Sequence, residues 1–251
     1  MAGLGSRVSA RGAVWTSVRT AVVGDLLAAA LAELGAGPLR VVDAGGGTGG
    51  FAVPLAAAGH DVTVVDPSPD AMAALRRRAE ERGVTGAIKA VQGDLAGLLE
   101  VVAPGSADVV LCHNVLEVVD DADSALTAVC AALRPGGLAS VLVLGRGAAV
   151  LSRALAGRFT EAAVLMAGTQ PPCGPRRYDA PTLHAALLGA GLHPERTHGI
   201  RVFSDLVPGA LLDADPGATE ALLALERAAS ERPEYLALAA GLHVLARRHA
   251  G

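Results

Sequence analysis

A single lysine, Lys89, one tryptophan and three cysteines are all that 251 residues supply of those three types, and each scarcity removes a class of reading. Cys112, Cys130 and Cys173 show no paired spacing, so neither a disulfide framework nor a zinc site is implied. The seven histidines are scattered, and His193 with His198 has no acidic or sulfur partner at ligand spacing, so no metal is expected. These features suit a reducing cytoplasm. Long apolar runs are missing too. A membrane helix needs roughly 18 such residues, and the stretch 135–145, bounded by Arg134 and Arg146, is far too short, so no membrane partner is expected. Acids are absent before Asp25, while Arg7, Arg11 and Arg19 precede it. Targeting segments share that bias, but no apolar signal core comes before Val18, and the expectation is an N-terminal helix. What is plentiful is apolar: 51% of residues are hydrophobic and 18% charged. A chain of this length and composition buries a large core, and one α/β domain over residues 1–251 is the expectation.

Strand-length apolar runs alternate with longer helical patterns, which predicts a doubly wound, seven-stranded, mostly parallel sheet. Strands are expected at Leu39–Asp43, Asp61–Asp66, Ala87–Gln92, Ala107–Cys112 and Leu138–Leu144, with two further candidates at His193–Phe203 and Gly241–Arg248. Helices are expected at Val18–Leu34, stopped by the Gly-Ala-Gly-Pro at 35–38, and at Thr48–Ala58. The next runs to Arg82 from an N-cap at Ser68, with Pro69 at its first position. Others fall at Asp121–Leu133, stopped by Pro135-Gly136-Gly137, at Pro181–Ala190 and at Thr219–Ser230. Between strands five and six the rhythm breaks. Pro171, Pro172, Gly174 and Pro175 mark an irregular insertion over 145–180, expected to be a substrate lid.

The run Asp43-Ala44-Gly45-Gly46-Gly47-Thr48-Gly49-Gly50 follows the first strand and opens a helix. Glycines let the chain turn sharply and let a ligand approach with no Cβ in the way. Two patterns overlap here. Gly45-x-Gly47-x-x-Gly50 fits the dinucleotide fingerprint, and Asp43-x-Gly45-x-Gly47-x-Gly49 fits an alternative adenosine-cofactor turn. Asp66 ends the second strand, where a carboxylate accepts ribose hydroxyls in either case. Asp94 ends the third, where an acid can take an adenine amino group. Leu133-Arg134-Pro135-Gly136-Gly137 then enters the fifth strand. These four features in order favour the second pattern.

On these residues the chain resembles the class I S-adenosylmethionine-dependent methyltransferases. More narrowly it is similar to the bacterial tRNA 5-carboxymethoxyuridine methyltransferases. The narrower likeness is carried by Ala58-Gly59-His60, His113-Asn114-Val115-Leu116-Glu117, Gly199-Ile200-Arg201-Val202-Phe203 and the ending Leu242-His243-Val244-Leu245-Ala246-Arg247-Arg248. The resemblance implies S-adenosyl-L-methionine as cofactor, with contacts on Arg19, Gly45, Gly46, Asp66, the Asp94-Leu95 turn and His113; Asp43 and Gly47 belong to the same turn. Arg19 would pair with the carboxylate of the methionine moiety. His113 follows the fourth strand, at the edge where ligands of open α/β sheets sit.

Methyl transfer from a sulfonium is an in-line displacement, and a carboxylate acceptor, with a reference pKa of about 4, needs no base at neutral pH. It needs a cation. Residues 145–205 hold seven arginines against four acids, in a chain whose net charge is −4. Arg201 is the first candidate for the acceptor clamp, with Arg176, Arg177 and Tyr178 next, because arginine grips a carboxylate through two parallel hydrogen bonds. Glu117 is a candidate for closing the pocket. The partner implied by the resemblance is tRNA. Proteobacterial relatives, however, carry a lysine run where this chain has Gln-Pro-Pro-Cys-Gly-Pro-Arg-Arg at 170–177. The aromatics that stack on RNA bases are few as well: Trp15, Phe51, Phe159, Tyr178, Phe203 and Tyr235. Three rivals therefore stand: a methyltransferase for a small carboxylate or hydroxylated metabolite, a nicotinamide-dependent oxidoreductase, and a noncatalytic cofactor-binding protein. The oxidoreductase would want a catalytic Tyr-Lys or similar pair, and the sole lysine lies in the third strand with no tyrosine near.

Overall fold

A computed structural model describes residues 4–35, 37–168 and 174–249, with only the backbone described for 4–18, 213 and 214. In chain order the elements are α1 (Leu4–Leu34), β1 (Arg40–Ala44), α2 (Ala52–Ala57), β2 (Asp61–Asp66), α3 (Pro69–Glu81), β3 (Ile88–Gln92) and α4 (Leu98–Val101). Next come β4 (Ala107–His113), α5 (Ala122–Ala132), β5 (Leu133–Leu144), α6 (Arg146–Leu155), α7 (Phe159–Met166) and α8 (Ala180–Gly189). The chain closes with β6 (Leu192–Ile200), α9 (Gly209–Ala214), α10 (Ala218–Ser230), α11 (Pro233–Leu236) and β7 (Gly241–Arg248). All seven strands join one sheet in the order β3-β2-β1-β4-β5-β7-β6. The pairs β1–β2, β1–β4, β2–β3 and β4–β5 are parallel. The expected sheet is therefore present.

The residues fall into two compact units: Met1–Leu34, Gly145–Pro171 and His198–Leu242 in one, and Gly35–Leu144, Pro172–Thr197 and His243–Gly251 in the other. The second unit carries β1 to β5. Its central strands are valine-rich and apolar on both sides, as strands covered on both faces must be; Val41, Val42, Val62, Val64, Val65, Val109, Val110 and Leu111 are all buried. From β1 the chain winds outward to β3, then returns to place β4 on the other side of β1. This reversal between β1 and β4 opens a crevice at their carboxyl ends, where open α/β sheets bind ligands. Helix α3 starts as its sequence predicts. Ser68 Oγ accepts from Ala71 N at 3.2 Å, and Pro69 opens the first turn.

The first helix starts at Leu4, well before the expected Val18, and four further differences from the sequence expectation have local reasons. The first helix after β1 begins at Ala52, not Thr48, because Gly49 is left-handed (φ 79°) and a right-handed helix cannot include it. Pro135-Gly136-Gly137 does not precede β5 but lies within it. α5 ends at Ala132, and pairing with β4 jumps from Ala107↔Leu133 to Val109↔Leu138, so the three residues form a bulge. The stretch 145–168 is not irregular: it folds as α6 and α7, and the Pro-Gly cluster that signalled a loop lies beyond both. Residues 169–173, part of the expected loop, fall outside the described residues. Finally, β6 stops at Ile200 rather than Phe203, because Arg201 turns left-handed with φ 58°.

Candidate functional site

The chain reverses between β1 and α2 over a glycine run in which Gly45 and Gly46 leave no room for a Cβ. A Cβ on Gly45 would stand 2.3 Å from Val115 Cγ2, and one on Gly46 2.5 Å from the Asp43 carboxyl. Gly45 N donates to Val65 O at 2.7 Å, tying the turn to β2. Asp66, at the tip of β2, accepts from Gly47 N through Oδ2 (2.8 Å) and from Ser68 N through Oδ1 (2.9 Å). Each oxygen has a further lone pair to offer. The carboxylate is thus fixed in place before any ligand arrives.

Beside this turn lies a cavity of about 410 Å³, walled by Gly45, Val65, Pro67, Asp94, Leu95 and Val115, among others. Its wall is largely apolar with a few acids, and it is wide enough for a planar base and its sugar. Asp94 Oδ1 accepts from Gly97 N at 2.9 Å, which turns the chain after β3. Sequence reasoning found Gly45, Asp94 and Leu95. It missed Val65, Pro67 and Val115, whose only signal is to sit one residue before, one after, or two after a strand-end residue already singled out.

Beneath the turn Asp43 is buried, and its Oδ2 has no hydrogen-bond partner among the described residues. Burial, and then the charge of Asp66, push its carboxyl up to about 7. His113 is also buried, its Nε2 bonded to Ser140 Oγ (2.8 Å), which in turn meets His243 Nε2 (2.8 Å); Phe51 stands edge-on to its ring. A hydroxyl carries one proton, so at least one of the two imidazoles donates to Ser140.

After β4 the chain makes a turn over Asn114–Asp120, and four sequence candidates gather around it. Glu117 Oε1 accepts from Leu144 N at 2.6 Å; Oε2 is buried with no hydrogen-bond partner among the described residues, and burial raises this carboxyl against the pull of Arg177. Arg176 is not a spare cation: its guanidinium donates to Leu116 O (3.0 Å), Val119 O (3.2 Å) and Asp120 O (3.3 Å). Tyr178 is buried, its hydroxyl on Leu116 O and its main-chain N–H on Leu144 O. Both brace the turn, a use that a doublet read from sequence does not reveal. In the other unit, Arg201 NH2 pairs with Asp205 Oδ2 at 2.6 Å, and the nearby charge of Arg201 adds to burial in lowering the pKa of Arg19.

A family model for a methyltransferase domain matches residues 41–137. The tRNA 5-carboxymethoxyuridine methyltransferase of Escherichia coli K12 is 32% identical over 238 residues, spanning 92% of this chain and 88% of that protein. The chain belongs to this family of S-adenosylmethionine-dependent methyltransferases. The ubiquinone biosynthesis O-methyltransferase of Methylocella silvestris matches the methyltransferase over a shorter stretch, 37% identical over 113 residues, which is 43% of this chain and 41% of that protein. The magnesium protoporphyrin IX methyltransferase of Synechocystis PCC 6803, solved with bound SAH, shares the fold at TM-score 0.61 and 18% identity, over 94% of this chain and 85% of that one. The dinucleotide reading of the glycine turn falls with this membership, and with it the oxidoreductase. The site fits the family's cofactor: side-chain-free glycines, a pinned Asp66 and a cavity bearing Asp94 suit a nucleoside with a charged tail. Among the described residues no cluster of histidine, cysteine and acids could hold a metal, and no helix is long and apolar enough to cross a membrane.

Proposed function

We propose that this methyltransferase O-methylates a carboxylate, and that its acceptor is wobble 5-carboxymethoxyuridine in tRNA. The observation that carries the reading is the likeness to the Escherichia coli enzyme along 92% of the chain, well past the cofactor half. When bound, S-adenosylmethionine supplies a methyl group on a positively charged sulfur, and no residue need protonate the leaving thioether. Asp66 and Asp94 are proposed to hold the ribose and adenine, Gly45 and Gly46 to admit the cofactor's main body, and Leu95 to cover the base. Arg19 is proposed to take the methionine carboxylate, and His113 to line the cofactor's side of the sheet edge. A carboxylate acceptor is already ionised, so the protein's task is to hold it, and alignment alone supplies several kcal/mol in favourable cases, of order 7–11 at the limit. Arg201 is proposed for that hold, with Arg177 second. Arg176 and Tyr178, occupied by the Asn114–Asp120 turn, are proposed as supports for Glu117 rather than as contacts.

A second reading, a small carboxylate or hydroxylated metabolite as acceptor, is favoured by the match to ubiquinone-pathway O-methyltransferases and by the lack of lysine at 170–177. One experiment separates them. The purified protein is given methyl-labelled cofactor together with total tRNA or a small-metabolite extract. Label in a base-labile methyl ester of the wobble nucleoside is expected; label confined to the metabolite fraction would replace the first reading by the second.

A further inference from the structure

Glu226 lies on the inward stripe of α10 with Leu222, Ala229 and Ser230, and only 1% of it is exposed. A buried acid is costly unless its oxygens are met by donors. Four donors meet this one. Val202 N reaches Oε2 at 2.8 Å, while Phe203 N (3.0 Å), Ser204 N (2.7 Å) and Ser204 Oγ (2.6 Å) converge on Oε1. Three successive main-chain N–H groups aimed at one carboxyl group define the turn that starts immediately after Arg201.

Arg201 is itself in the left-handed region at φ 58°, a conformation that side chains bearing a Cβ resist. Such a backbone persists only when its neighbours over-determine it, and points to a use. Here the neighbours on one side are the three residues held by Glu226. The same turn ends at Asp205, whose carboxylate grips the Arg201 guanidinium. Direction of the backbone and placement of the guanidinium are thus both set within this unit. The Nε–H of Arg201 is buried and has no hydrogen-bond partner among the described residues, and the same holds for Arg19. Two guanidinium groups in electrostatic reach of each other, each with a donor left over, are arranged for anions.

We propose that Glu226 is a positioning residue for the methyl acceptor: by holding residues 202–204 it fixes the left-handed Arg201 and presents its guanidinium to the acceptor's carboxylate. The inference rests on the reading of Arg201 as the acceptor clamp. Glu226→Gln keeps the shape but replaces one acceptor oxygen by an amide that faces N–H donors, so the turn loses its anchor while Arg201 remains.

The test uses the full chain with saturating cofactor and tRNA carrying 5-carboxymethoxyuridine, comparing Arg201→Ala, Glu226→Gln, the double variant and Ser204→Ala. Glu226→Gln is expected to raise the acceptor KM about tenfold, as Arg201→Ala does, with cofactor Kd within about twofold of the parent. The double variant should be no worse than the worse single one, because both act through one group. Ser204→Ala removes one donor of four and should raise KM by a smaller factor; it also serves if Glu226→Gln does not fold. A lowered melting temperature with unchanged acceptor KM in Glu226→Gln, or in Ser204→Ala where only that variant folds, would make Glu226 a purely structural acid while leaving Arg201's role intact. An unchanged KM in Arg201→Ala would instead remove the clamp reading and this inference together.

Discussion

Asp43 and Asp66 stand near the tips of adjacent parallel strands, and their surroundings divide their roles. Asp66 is held by two main-chain N–H groups; Asp43 lies beneath the turn, with one oxygen that has no hydrogen-bond partner among the described residues. Asp66→Ala is expected to weaken cofactor binding at least tenfold in calorimetry, since a hydrogen bond to a charged group contributes about 1.5–3 kcal/mol; unchanged affinity would detach Asp66 from the ribose. For Asp43 the expectation concerns pH. Its folded value, about 7, lies above the ordinary 3.8, so the native state keeps this proton to higher pH than an unfolded chain does. Its contribution therefore favours the fold under acid conditions and is lost as pH rises from about 4 to about 7. Thermal melts of the cofactor-free protein should show Asp43→Asn gaining on the parent across that window. Parallel melting curves for the two proteins would show that Asp43 does not titrate there.

Elements, as distinct from single residues, are set by where a side chain is forbidden. Gly145 and Gly147 bring the start of α6 so close to the 237–239 main chain that a Cβ would meet Ala239 O at 2.1 Å and Ala237 O at 1.8 Å. Both contacts are with backbone, which cannot swing aside. Gly147→Ala is accordingly expected to destabilise the protein by about 1–3 kcal/mol, the usual range for forced overpacking, with a lower melting temperature and no direct loss at the glycine turn. A melting point within a degree of the parent would mean that α6 has freedom to move. The bulge in β5 has the same origin: a Cβ on Gly137 would lie 2.9 Å from Arg134 O and 3.1 Å from Asp108 O, and Asp108 is tied to Arg134 at 2.6 Å and to Arg40 at 3.3 Å.

Over the whole molecule, charge is the property that bears on the acceptor. A chain of net charge −4 with a surplus of three positive charges between residues 145 and 205 is poorly suited to indiscriminate nucleic-acid binding, yet can neutralise a few phosphates. If tRNA is the acceptor, two or three phosphate contacts should make its kcat/KM fall about tenfold between 50 and 200 mM salt. The affinity for cofactor alone should change little over that range. A flat salt response on the preferred acceptor would favour a small molecule.

Strands β1 to β5, the glycine turn, and the position of Asp66 and Asp94 at or just after strand ends were legible in the sequence because each rests on local rules: apolar runs of strand length, and residue types that a turn or a strand tip accommodates. Ser68 announced its helix for the same reason, a side-chain oxygen reaching an N–H three residues on; the same capping by Asp121 was visible only in the structure. Other features depended on partners far along the chain. Residues 145–168 became helices although the proline-rich run after them suggested a loop. Arg176 and Tyr178 went to the carbonyls of a turn some 56–62 residues earlier. Glu226 had one local sign, an acid on an apolar helical stripe, but which N–H groups it would satisfy followed only from packing. Composition and spacing decide what a segment can be; which buried polar groups find one another is decided when the chain closes on itself, since burial leaves each of them no other partner.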